Sequence, residues 1–161
     1  MKLRKIITVI LCFVMLLQVP VMAQAAENTS ADEYIIFTGG KERMNDDGTF
    51  DFSFNAEKTS QHFITNKTSI TISSQCRRYN NKTGENIPTT SCGYTLTLYK
   101  MGSSEAVGSY TGYANDKKAS ATFEVEKGEE YYFVMTSNKT LGATYRLRGT
   151  GKVTNVTPIK Q

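Results

Sequence analysis

The chain has 161 residues, with 19 Lys and Arg against 15 Asp and Glu, and with nine Tyr, eight Phe and no Trp. Its length suits one domain with one apolar core. Lys2, Arg4 and Lys5 hold three of the basic residues; without them 16 basic face 15 acidic side chains, too even a balance to suggest a nucleic-acid partner.

Residues 1–25 read as an export signal. The cationic start is followed by an almost unbroken apolar run from Ile6 to Val19, and Ala23-Gln24-Ala25 supplies the small residues of a cleavage site. The run is short for a spanning helix and Pro20 interrupts it, so a retained anchor is disfavoured. Bulky Leu11 before Cys12 argues against a lipoprotein. Cleavage after Ala25 leaves 136 residues: a polar lead-in over 26–33, then a single domain over 34–161. The expected setting is secreted and extracellular, in a bacterium, as a monomer with no membrane contact after cleavage.

From there the apolar residues alternate with period two. Phe50, Phe52 and Phe54 come first, then Ile70 and Ile72, and then Tyr94, Leu96 and Leu98. Ala121, Phe123 and Val125 follow, then Tyr131, Phe133 and Met135, and finally Tyr145 and Leu147 against Arg146 and Arg148. Such alternation puts one side of each strand on a core and the other toward water. Turn residues fall between the runs, at Gly39-Gly40, Asp47-Gly48, Lys127-Gly128 and Gly149 to Gly151. Asn-Lys-Thr at Asn66, Asn81 and Asn138 reads as turn chemistry; in a eukaryotic secreted chain each would be a glycosylation acceptor. The pattern predicts an all-β, antiparallel β-sandwich (jelly-roll or Ig-like) of about eight to ten strands, with a closed barrel as the alternative.

Two cysteines remain after cleavage, Cys76 and Cys92. In an exported chain they are expected to form a disulfide, facing each other if the Ile70 and Tyr94 strands pair antiparallel. The intervening segment, Arg77 to Ser91, then reads as a stapled basic loop whose Arg77, Arg78 and Tyr79 could contact a partner. An inhibitor or neutralising protein acting through that loop is one functional alternative.

Catalytic and metal signatures are missing from the sequence. His62 is the single histidine and no nucleophile motif accompanies it, so a small hydrolase using His62 is a weaker alternative. Asp46-Asp47 and Glu129-Glu130 are adjacent carboxylates in turn-like segments, and neighbours on a strand point to opposite faces. The loop around Asp46 and Asp47 offers oxygen ligands for calcium but lacks the EF-hand pattern, and an Asp-Gly turn explains it equally well. No catalytic residue, metal site or cofactor is assigned.

The tyrosines carry the functional expectation. Tyr99 and Tyr132 are out of phase with the apolar positions of their strands, and Tyr110 and Tyr113 lie among small residues that would leave the rings accessible. Exposed rings stack on sugars or anchor protein partners.

Four segments resemble the bacterial pre-peptidase C-terminal domain: Thr49 to Phe54, Tyr94 to Tyr99 with Glu105 to Ser109, Gly128 to Val134, and Ala143 to Leu147. The resemblance implies a β-sandwich module without catalysis, which binds polymers or proteins or helps a secreted protein stay folded. The cysteine-flanked segment departs from that pattern, and the acidic residues some relatives use for calcium have no counterpart. Residues and resemblance together point to a secreted, non-catalytic module recognising an extracellular carbohydrate or protein.

Overall fold

The structure, a computed structural model, describes residues 44–159. The export signal over 1–25, the lead-in over 26–33 and the Gly39-Gly40 turn lie outside the described residues. Eleven strands follow in order: β1 (Thr49–Phe54), β2 (Glu57–Thr59), β3 (Phe63–Thr65), β4 (Ser69–Asn80), β5 (Asn86–Ile87), β6 (Gly93–Lys100), β7 (Ala106–Tyr113), β8 (Ala119–Glu124), β9 (Glu130–Ser137), β10 (Tyr145–Val153) and β11 (Val156–Pro158). No helix among the described residues is long and apolar enough to cross a membrane.

The strands form two antiparallel sheets. One runs β1-β10-β4, with β8 and β5 pairing with separate stretches of β4, at Ser69–Ser74 and Arg78–Tyr79. The other runs β11-β3-β9-β6-β7, and β2 pairs with β9 further along. The alternating residues explain why the sheets close on each other. Phe50, Phe52, Ile70, Ile72 and Leu147 from the first sheet meet Phe63, Tyr94, Leu96, Leu98 and Phe133 from the second, all essentially inaccessible. The Phe50 and Phe133 rings lie 5.2 Å apart and those of Phe52 and Tyr94 5.9 Å apart, so aromatic contacts cross between the layers. Burying each such side chain contributes roughly 1.5–3 kcal/mol, and this packing holds the sheets face to face. The fold is the expected all-β sandwich, with more strands than expected because several are two or three residues long.

Turn chemistry matches the sequence at Asp47-Gly48 and Lys127-Gly128. Gly149 to Gly151, expected as a turn, lie instead within β10, where a Cβ on Gly149 would overlap β4 and one on Gly151 the Phe50 ring. Gly48 has φ 81°, and Asp47 Oδ1 accepts hydrogen bonds from the Thr49 amide and hydroxyl at 3.0 and 2.6 Å. Those bonds hold the Asp47 carboxyl below its ordinary range, so this carboxylate is engaged in shaping the entry to β1. Asn66, Asn81 and Asn138 all fall in turns or bends.

One expectation is corrected. β4 and β6 do not pair; they lie in different sheets. β4 does not stop at Cys76 but continues to Asn80, hydrogen-bonded to β10 along that length. Arg77, Arg78 and Tyr79 are therefore strand residues, and the connection to β6 contains the short strand β5.

Candidate functional site

The outer face of the β1-β10-β4 sheet carries a trough of about 950 Å³. The register builds it in rows. Arg148 on β10 sits between Ser53 on β1 and Arg77 on β4. One step along, Thr150 sits between Asp51 and Gln75. In the other direction Arg146 faces Tyr79, which in turn faces Asn86 on β5. These side chains share a face because each strand buries the residues between them, Phe52 on β1, Leu147 on β10 and Cys76 on β4.

Asp116 closes one rim. Arg77 Nη2 donates to its Oδ2 at 2.5 Å, and Gln75 Nε2 donates to its Oδ1 and to its carbonyl, each at 2.8 Å. These donors hold the Asp116 carboxyl below its usual value. The backbone there has φ 64°, a left-handed conformation that only a few non-glycine residue types adopt readily, Asp among them. Arg148 is oriented differently: its guanidinium lies over the Tyr79 ring, 5.2 Å from the centroid. Arg146 makes a long hydrogen bond to Ser53 Oγ, 3.4 Å. Burial pushes the Asp51 carboxyl up, against the pull of Arg148. The lining is thus rich in planar hydrogen-bonding groups, with two aromatic residues among them, Tyr79 and the buried Phe52.

The residues singled out from sequence separate in space. Arg77 and Tyr79 line the trough. Arg78 does not: strand alternation turns it to the inner side, where its guanidinium covers the Tyr145 ring at 4.7 Å. Tyr99 and Tyr132 are on the second sheet as a direct cross-strand pair, stacked with centroids 5.4 Å apart and planes 17° apart. His62 packs on the Tyr132 ring at 5.4 Å, so much of these faces is already covered by neighbouring rings. Tyr113 on β7 is 49% exposed. Tyr110 is a correction. It packs against the core, its hydroxyl 2.7 Å from Ser74 Oγ, which also meets Tyr94 Oη. Burial raises both phenols, Tyr110 to about 12. The small residues around it serve packing instead of access: a Cβ on Gly108 would press on Phe123, and one on Gly112 would overlap Tyr94.

Cys76 and Cys92 are free thiols in this structure, both buried in the core. They approach across the sandwich and not along one sheet: Cys76 Sγ is 3.8 Å from the Tyr113 carbonyl, and Gly93, next to Cys92, pairs with Tyr113. Burial, with a smaller contribution from Cys92, pushes the Cys76 thiol up to about 12. His62 Nδ1 contacts Glu130 Oε1 at 2.7 Å and lines neither the trough nor a smaller concavity of about 440 Å³ near Lys100 and Glu126. Among the described residues no group of three or more His, Cys, Asp or Glu is placed to hold a metal ion.

Sequence reasoning missed Asp51, Gln75, Asn86, Asp116, Arg146 and Arg148 as lining residues. The alternation already put Arg146 and Arg148 on the wet side of their strand, but nothing local says that this strand lies between β1 and β4.

No family model matches the chain, and no curated protein matches it. One solved structure that matches is TmCBM61 in complex with β-1,4-galactotriose; it covers 70% of each chain at 9% identity, with a TM-score of 0.31. The likeness is too distant to carry over fold, ligand or site.

Proposed function

We propose that this chain is a secreted, non-catalytic module that binds an extracellular carbohydrate in the trough of the β1-β10-β4 sheet. The trough lining carries the reading. Amide, carboxylate, guanidinium and hydroxyl groups are fixed on adjacent strands beside Tyr79, whose ring carries Arg148, and this set of donors and acceptors suits the vicinal hydroxyls of a sugar. A protein partner would more often be anchored by large apolar or aromatic groups, and Tyr79 is the single aromatic side chain in this lining besides the buried Phe52. Export and a Cys76–Cys92 disulfide formed outside the cell belong to the same proposal. So does kinship with the pre-peptidase C-terminal domain, which the four segments beginning at Thr49, Tyr94, Gly128 and Ala143 resemble.

Affinity electrophoresis through gels containing soluble polysaccharides tests the reading. At least one polymer is expected to retard the protein, and Tyr79→Ala or Gln75→Ala is expected to abolish the retardation while circular dichroism stays unchanged. Free migration through a broad polysaccharide panel contradicts it.

A further inference from the structure

The trough carries more positive charge than its own architecture needs. Arg148 and Arg77 face each other directly across β10 and β4, and Arg146 shares their side of β10. Like charges opposite each other weaken a sheet, whereas opposite charges support it. Among the described residues only one of the three is neutralised by an ion pair: Arg77 has Asp116 at 2.5 Å. Among the described residues neither Arg146 nor Arg148 is in an ion pair, and both are exposed. Their stacking and hydrogen-bond partners are a neutral ring and a neutral hydroxyl, and Asp51 attracts Arg148 from the neighbouring row without forming an ion pair.

Charge is also segregated along the trough. Its two carboxylates belong to the Thr150 row, where Asp51 stands, and to the Asp116 rim beside Gln75 and Arg77. The row of Arg146, Tyr79 and Asn86 has none.

We propose that the ligand is an acidic glycan, bearing carboxylate or sulfate groups, and that Arg146 and Arg148 are its anion contacts. This rests on the carbohydrate reading of the trough. A guanidinium fork matches the oxygens of a carboxylate or sulfate and can make paired, charge-assisted hydrogen bonds to them. Tyr79 orients the Arg148 plane from beneath, and Asn86 lies beside Tyr79 to engage neutral hydroxyls.

The test uses polymers matched in backbone and differing in charge: polygalacturonate with its methyl ester, and chondroitin sulfate with its desulfated form, together with polyglutamate. Titration calorimetry on the full chain is expected to show the acidic member binding at least about tenfold more tightly, the ratio expected from a single charge-assisted hydrogen bond. That binding should weaken as salt is raised. Arg146→Gln and Arg148→Gln should each reduce the preference, with the melting temperature holding as the check on folding. Equal affinity for the acidic and neutral members of a pair overturns the anion inference and leaves the carbohydrate reading standing. Full acidic binding by the double variant overturns the assignment to these arginines. Polyglutamate binding as tightly as the acidic glycans overturns the glycan class, and binding to no member of either pair overturns both readings.

Discussion

Asp116 joins backbone geometry and electrostatics in one residue. Its left-handed φ of 64° places the carboxylate where Arg77 and Gln75 both reach it, and their hydrogen bonds lower its pKa. A folded-state value below the ordinary 3.8 means that the ionised form stabilises the fold. That contribution is fully present above the unfolded value and is lost as pH falls through the folded one. Asp116→Asn tests this, because Asn also tolerates the left-handed region while the change removes the charge together with one of the two oxygens that accept from Gln75 and Arg77. The variant is expected to be less stable than the parent at neutral pH by urea unfolding, with the gap closing in acid below the ordinary Asp range. A gap that stays constant from neutral pH to well below that range contradicts the ion-pair account.

At the scale of a strand, β7 shows how phase decides a ring's fate. Gly108, Tyr110, Gly112 and Ala114 share the inward side, while Val107, Ser109, Thr111 and Tyr113 are exposed on the other. The small residues flanking Tyr110 make room for Phe123 and Tyr94, and counting by twos along this strand separates Tyr110 from Tyr113 without any structure. Gly112→Ala would drive a methyl group into the Tyr94 ring and disturb its hydroxyl contact with Ser74. Overpacking of this kind costs about 1–3 kcal/mol. A loss of that size in chemical denaturation is the expected outcome, and an Ala variant as stable as the parent contradicts this packing. β4 teaches the opposite lesson. Its last residues, Arg77 to Asn80, look like loop because they lack apolar alternation, yet pairing with β10 and the stacking of Arg78 on Tyr145 keep them extended.

For the whole molecule, alternation was enough to read the inward residues of β1, β4, β6, β8, β9 and β10, and with them the two-layer fold. Alternation states which side of a strand is buried; it does not state which strand lies next to it. The expected cysteine geometry failed for that reason, since β4 and β6 belong to different layers. The trough stayed hidden for the same reason: Asp51, Arg77 and Arg148 are far apart in the chain and meet only because β10 lies between β1 and β4. The stacked tyrosines could be read as outward-facing, but their pairing depends on β6 lying beside β9.

The two outer faces make competing demands on a ligand. One offers fixed polar groups and guanidiniums, and the other offers Tyr99, Tyr132 and His62 already packed on one another. Backbone amide chemical-shift mapping by NMR during titration with a bound polysaccharide fragment distinguishes them directly. The account predicts shifts concentrated at Ser53, Gln75, Arg77, Tyr79, Arg146, Arg148 and Thr150, with β6 and β9 unmoved. Shifts centred on Tyr99 and Tyr132, with the β1-β10-β4 face silent, would contradict it.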